Sequence, residues 1–316
     1  MFEIIFLGTS ASAPSIHRGL SAQVIKHNEH RFLIDCGEGT QRQILKSGIG
    51  FKRLNNILIT HGHLDHILGL AGLFSTFSRW ETIEEVSIFG GKYALERINN
   101  LLYGVQIVHP TKSQIDIKLQ EIGPSVIFDE EDFTVTAFSV SHRGPDCFGY
   151  LFEEKARRPF LAEKADALSV PHGPQRRNLV NGNEITLEDG TVIKPDQVLG
   201  EEKAGTRLAH VGDTGRTDNI LEYCQGVDTL VIEATYLEEE AEMAKDFAHL
   251  TAAQAAQLAK DAGVGQLILT HLSRRYRERD VRKEAQAIFP NTLIARDFDN
   301  FQVKRGECIK VLPEKR

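Results

Sequence analysis

The segment Thr60-His61-Gly62-His63-Leu64-Asp65-His66 packs four ligand-capable side chains, His61, His63, Asp65 and His66, into six residues. It follows the apolar run 56–60 directly and precedes an amphipathic stretch directly, so the sequence predicts a strand-to-helix turn. A tight turn lets His61 and His63 point the same way while Asp65 and His66 reach a second position, which allows two metal ions a few ångströms apart. One loop cannot complete two coordination shells, so further donors must come from the ends of later strands. His142 follows the run 133–139, Asp213 follows 207–211, and His271 follows 266–270. Together these seven oxygen and nitrogen donors, with no sulfur, suit a dinuclear zinc site in which the two oxygens of Asp213 bridge.

The elements that must position them read as strands interleaved with helices. Strands are predicted at 2–7, 22–26, 31–35, 56–60, 133–139, 148–153, 207–211, 229–233, 266–270 and 301–304. Ile67, Leu70, Ala71, Phe74 and Phe77 recur at helical spacing, and Thr251 with Gln254 forms a capping box that opens an Ala-rich helix running through Ala262. The stretch 154–205 breaks this rhythm with Pro159, Pro171, Pro174 and Pro195, many charges, and a strand-turn-strand candidate around Asp189-Gly190. It reads as an arm inserted into a single domain spanning 1–316.

The 316 residues are 41% hydrophobic and 26% charged, which excludes wholesale disorder. No apolar run approaches the length of a membrane span, and Glu3 stands where a secretory peptide needs a cation, so neither export nor a membrane is expected. Cys36, Cys147, Cys224 and Cys308 are scattered without paired spacing, in keeping with a reducing cytoplasm. The balance of 37 basic and 44 acidic residues, a net charge of -7, excludes a uniformly basic nucleic-acid coat but not local patches. Two windows concentrate cations: one holds Lys155, Arg157, Arg158, Lys164, Arg176 and Arg177, and the other Arg274, Arg275, Arg277, Arg279, Arg282 and Lys283.

The His-x-His-x-Asp-His segment with the later His, Asp and His resembles the metallo-β-lactamase superfamily, which implies an α/β fold, a four-layer αββα sandwich. Phe6-Leu7-Gly8-Thr9-Ser10 with Pro14 and Arg18, 33–41, Glu233-Ala234-Thr235, Ala248-His249-Leu250-Thr251, and Thr270-His271-Leu272-Ser273 with Arg275-Tyr276 narrow the likeness. They resemble the ribonuclease Z family, endonucleases that mature tRNA 3′ ends, over nearly the whole chain. The resemblance implies two Zn2+ per subunit, one on His61, His63, His142 and Asp213, the other on Asp65, His66, Asp213 and His271. It further implies a shared water as nucleophile on phosphorus, Asp65 as ligand and proton acceptor, and His249 as proton donor to the leaving 3′ oxygen, held by Glu233.

One departure is Ile232, where the family usually carries His, which puts the environment of the acid in question. Asp35 and Glu38 are expected to buttress the metal loop, and Gly37 and Gly39 to supply a turn with unusual dihedrals. Gly173-Pro174 lies in a segment resembling the arm that grips the tRNA elbow, with Arg157, Arg158, Lys164, Arg176 and Arg177 meeting phosphates and Arg275 clamping one near the cut. The resemblance also implies precursor tRNA as partner and a homodimer. Two other readings stand beside it: a hydrolase of small phosphodiesters on the same metals, and an RNA-binding module whose metals are structural.

Overall fold

The first strand, Phe2–Gly8, shows how the layers arise. Side chains alternate across a strand, so Ile4 and Phe6 enter one apolar cluster while Ile5 and Leu7 enter another. A strand buried on both faces needs a layer on each side. In the computed structural model, which describes residues 1–80, 83–104 and 115–311, those layers are a second sheet and a set of helices.

The first sheet runs Glu307–Val311, Asn300–Lys304, Phe2–Gly8, Ala22–His27, His30–Ile34, Asn56–Leu58, Glu85–Gly90, Asp116–Glu121. The second runs Thr292–Ile294, Gln266–Thr270, Thr229–Glu233, Arg207–His210, Phe148–Glu154, Phe133–Ser139, Ser125–Asp129. Between them lies an aromatic core in which Phe2, Phe32, Phe133 and Phe152 meet edge to face. Helices Thr40–Ser47, Gly69–Trp80 and Lys92–Asn99 cover the outer face of the first sheet through Ile44, Leu70, Phe74, Phe77 and Ile98. Ala252–Asp261 and Glu278–Ile288 cover that of the second through Ala255, Ala259, Val281 and Ala285. The order is therefore αββα, as expected. No helix among the described residues is long and apolar enough to cross a membrane.

The expected capping box forms: Gln254 N–H donates to Thr251 Oγ1 at 3.1 Å, and Thr251 N–H to Gln254 Oε1 at 2.9 Å. The strand expected over 56–60 stops at Leu58, which releases Ile59 and Thr60 into the histidine turn. Five strands were not expected, and four of them are the edges of the two sheets.

Residues 154–205 form a compact unit of their own. Ala165, Val170, Leu179, Ile185, Ile193 and Val198 make its small core. The expected strand-turn-strand is the pairing of Ile185–Thr186 with Val192–Ile193. In chain order the unit is inserted between two antiparallel neighbours of the second sheet, where Glu153 pairs with Arg207.

Candidate active site

Four strand ends deliver the donors. The histidine turn follows Asn56–Leu58 of the first sheet, whereas His142, Asp213 and His271 follow Phe133–Ser139, Arg207–His210 and Gln266–Thr270 of the second. The seven side chains fall into two groups, His61, His63, His142 and Asp213 in one and Asp65, His66 and His271 in the other, the donor atoms of each group lying within 4.8 Å of one another. His63 Nδ1 stands 2.9 Å from His61 Nε2 and 3.3 Å from His142 Nε2. Asp213 Oδ2 is 3.7 Å from His61 Nε2, 3.7 Å from His142 Nε2 and 3.5 Å from His66 Nε2. Its Oδ1 lies 3.3 Å from His271 Nδ1, so the two oxygens of one carboxylate face both groups.

The Nδ1 of His61, His66, His142 and His271 is engaged on the side away from the donors, which orients each ring. His66 Nδ1–H donates to Asp35 Oδ2 at 2.7 Å and His142 Nδ1–H to the Ala248 carbonyl at 2.7 Å. Thr60 Oγ1 donates to Asp35 Oδ2 at 2.8 Å and therefore accepts from His61 Nδ1–H at 3.0 Å. Thr235 Oγ1 donates to Glu233 and accepts from His271 Nδ1–H at 3.0 Å. Nε2 of each of these four rings is thus turned toward the centre.

Nitrogens at such separations repel unless a proton or a cation lies between them, and about 3.3 Å is the edge of a tetrahedron with Zn–N bonds of ~2.05 Å. His66 Nε2, His271 Nε2 and Asp213 Oδ1 are buried without a hydrogen bond, which native interiors rarely tolerate. Burial holds His63 down to about 4 and also lowers His61 and His142, keeping all three neutral. Burial would lower His66 too, yet Asp213 and Asp35 outweigh it and raise His66 well above its usual range. A pocket that draws a proton onto a fully buried imidazole carries uncompensated negative charge, and a divalent cation answers the same demand. The donor set fits a metal.

Backbone strain concentrates here. Asp35, Ala248 and His271 adopt φ of 56°, 52° and 53°, the left-handed region that non-glycine residues seldom enter. Gly37 is required for a different reason than expected: its φ is not positive, but a Cβ would come within 2.4 Å of the Asp65 carbonyl oxygen. Gly39 has the unusual dihedral, φ 85°. Asp35 buttresses the turn through His66 and Thr60, whereas Glu38 is exposed on the surface.

Beside the metal donors, His249 Nδ1–H donates to Glu233 Oε1 at 2.8 Å, and Glu233 also accepts from Thr214 N–H at 2.8 Å. Burial pulls His249 down, but Glu233 and then Asp213 raise it to about 9. Ile232, the departure noted in the sequence, lies on the opposite face of its strand from Glu233 and is fully buried against the helix layer.

Arg275 pairs with Glu240 at 2.9 Å. Within residues 154–205, Arg158 is committed to Asp196 and the Gly200 carbonyl, and Arg176 to Asp166 and Val170. Arg157, Lys164 and Arg177 are exposed, as are Gly173 and Pro174 at the start of helix Pro174–Val180. Sequence reading missed the backbone N–H of Ser12, which reaches Asp65, since a main-chain donor leaves no mark in residue type.

Among known families, the one described as Anti-Pycsar protein Apyc1 matches residues 2–158, and the Beta-lactamase superfamily domain matches 198–272. The ribonuclease Z of Bradyrhizobium sp. (strain ORS 278) is 45% identical over 303 residues, 96% of this chain and 100% of that protein. The chain belongs to the ribonuclease Z family. Bacillus subtilis (strain 168) ribonuclease Z is 38% identical over 96% of this chain and its own full length. Among solved structures, the short form of human tRNase Z aligns with a TM-score of 0.66 at 25% identity, covering 95% of this chain and 99% of that one. Membership of the ribonuclease Z family makes the chain a metal-dependent endoribonuclease.

Proposed function

We propose that the chain removes 3′ trailers from precursor tRNA, with two zinc ions held by His61, His63, His142 and Asp213 and by Asp65, His66, His271 and Asp213. The observation that carries this reading is the convergence of seven donors from four strand ends beside the hydrogen-bonded pair His249 and Glu233. When bound, two divalent ions lower the pKa of a water toward neutrality and offset charge on the phosphoryl oxygens.

The protein groups divide the remaining work. Asp65 orients the attacking water and takes up its proton. Burial would raise Asp65, but His271 and His66 outweigh it and hold the carboxyl well below its usual range, so it stands ionised as an acceptor. His249 gives the proton at Nε2 to the departing 3′ oxygen, a poor leaving group without it, while Glu233 holds Nδ1 and stabilises the imidazolium. The products are a 3′-hydroxyl on the tRNA body and a 5′-phosphate on the trailer. Residues 154–205 act as the arm that grips the tRNA elbow through Gly173-Pro174 and the exposed Arg157, Lys164 and Arg177, with Arg158 and Arg176 shaping it. Arg275 clamps a phosphate near the cut. The same reading makes the protein a cytoplasmic homodimer.

The test is to incubate purified protein with a 3′-extended precursor tRNA, with and without chelator, and to map both new ends. A chelator-sensitive cut leaving the stated ends is expected. No cut, or a 2′,3′-cyclic phosphate end, overturns the reading.

A further inference from the structure

We propose that Phe247, with the Arg143 guanidinium over its ring, is a stacking platform for the nucleobase whose own ribose supplies the departing 3′ oxygen. The proposal rests on the trailer-removal reading and names the part of the substrate that this side of the site receives. Phe247 is 44% exposed, and an isolated exposed Phe alone signifies little. Its surroundings give it meaning. It lies two residues before His249, the proton donor, and is fixed at the end of helix Ala241–Asp246 by its N–H to the Met243 carbonyl at 3.0 Å. His142 Nδ1–H ties the next residue, Ala248, to the metal donors at 2.7 Å. That tie brings Arg143, the neighbour of His142, over the Phe247 ring at 5.3 Å from its centroid.

A second ring, Tyr236, lies 6.0 Å from the His249 imidazole. The His249 imidazole therefore has the His142 ring 4.9 Å away among the metal donors and the Tyr236 ring 6.0 Å away, with Phe247 and its cation two residues earlier in the chain. The leaving oxygen must meet His249, so the nucleotide that keeps this oxygen must lie against the same rings. A ring face accepts any base, and a guanidinium beside it adds attraction to the base and to the flanking phosphate. The platform thus senses that a base is present without selecting which one, as a processor of many tRNAs requires.

The experiment compares wild type, Phe247→Ala and Phe247→Tyr on two precursor tRNAs, one intact and one abasic at the nucleotide retaining the 3′-hydroxyl. A third precursor, with 2-aminopurine at that position, reports stacking on binding by its fluorescence. Phe247→Ala is expected to raise KM on the order of tenfold for the intact precursor. Phe247→Tyr is expected to restore it, and all three proteins are expected to be equal on the abasic RNA. The 2-aminopurine is expected to be quenched by wild type and by Phe247→Tyr but not by Phe247→Ala. An equal loss on intact and abasic RNA, or quenching that persists in Phe247→Ala, overturns the platform alone. A wild-type protein that leaves every precursor uncut overturns the trailer-removal reading, and the platform with it.

Discussion

The backbone N–H of Ser12 donates to Asp65 Oδ2 at 2.9 Å, joining two residues 53 positions apart. Ser12 reaches it with φ 57°, in a loop stitched by the Ala11 N–H to Leu272 and the Leu272 N–H to Thr9. Leu272 follows His271, so one loop sets both Asp65 and its neighbour His271, whose Nε2 is 3.5 Å from Asp65 Oδ2.

Replacing that amide is expected to slow chemistry more than it weakens binding. Proline at position 12 has no N–H and holds φ near −65°, so Ser12→Pro is expected to lower kcat on the order of tenfold or more with a smaller change in KM. Ser12→Gly keeps both the donor and the dihedral and is expected to stay near wild type. Steady-state kinetics on precursor tRNA check the pair, and equal kcat for Ser12→Pro and wild type contradicts the role.

His249 is expected to matter in proportion to how badly the leaving group needs a proton. His249→Ala is expected to slow precursor cleavage about 10²–10⁴-fold, and a small aryl phosphodiester, whose phenolate leaves readily, far less. Single-turnover rates on the two substrates provide the comparison. Equal losses on both count against proton donation.

The pH profile follows from the same proton. An acid works only while protonated, so the rate holds below its pKa and falls as pH rises through it. Burial lowers His249, but Glu233 and Asp213 outweigh burial and set it at about 9. Glu233→Gln removes the nearer charge and is expected to move the basic limb of the kcat profile to lower pH. A limb that stays in place shows that Glu233 does not tune the acid.

Asp35 reaches the metal donors through hydrogen bonds to His66 Nδ1 and to Thr60. Asp35→Asn is expected to weaken metal affinity about 10–100-fold, measured by competition with a chromogenic chelator. Unchanged affinity contradicts the buttressing role.

Because Glu153 and Arg207 are antiparallel partners, residues 154–205 can be replaced by a short turn without unpairing the sheet. The shortened protein is expected to bind precursor tRNA more weakly and with a flatter dependence on salt, yet to retain hydrolysis of a small aryl phosphodiester. Loss of that hydrolysis in a folded deletion contradicts the division of labour.

The parts of this fold that were legible in the sequence are those where chemistry and burial leave a periodic mark. Central strands such as Thr229–Glu233 and Gln266–Thr270 are buried on both faces and read as apolar runs, one ending in Glu233 and the other running directly into His271. The edge strands Asp116–Glu121 and Glu307–Val311 carry charged side chains and much exposed surface, which resists pairing with other chains, and that dress hides them among loops. In the site, side-chain donors were legible by type and by position after strands. Ser12 was not, because its contribution is main-chain, and the commitments of Arg158 and Arg176 were not, because pairing with Asp196 and Asp166 depends on how residues 154–205 fold back on themselves.

Asp213 faces donors of both groups, and on the proposed reading this one carboxylate lets them share a pair of ions. Metal analysis of the protein after equilibrium dialysis against zinc tests it directly. Two zinc ions per wild-type chain, and at most one in Asp213→Ala, is the expected result. One ion or none in wild type, or two retained in Asp213→Ala, contradicts it.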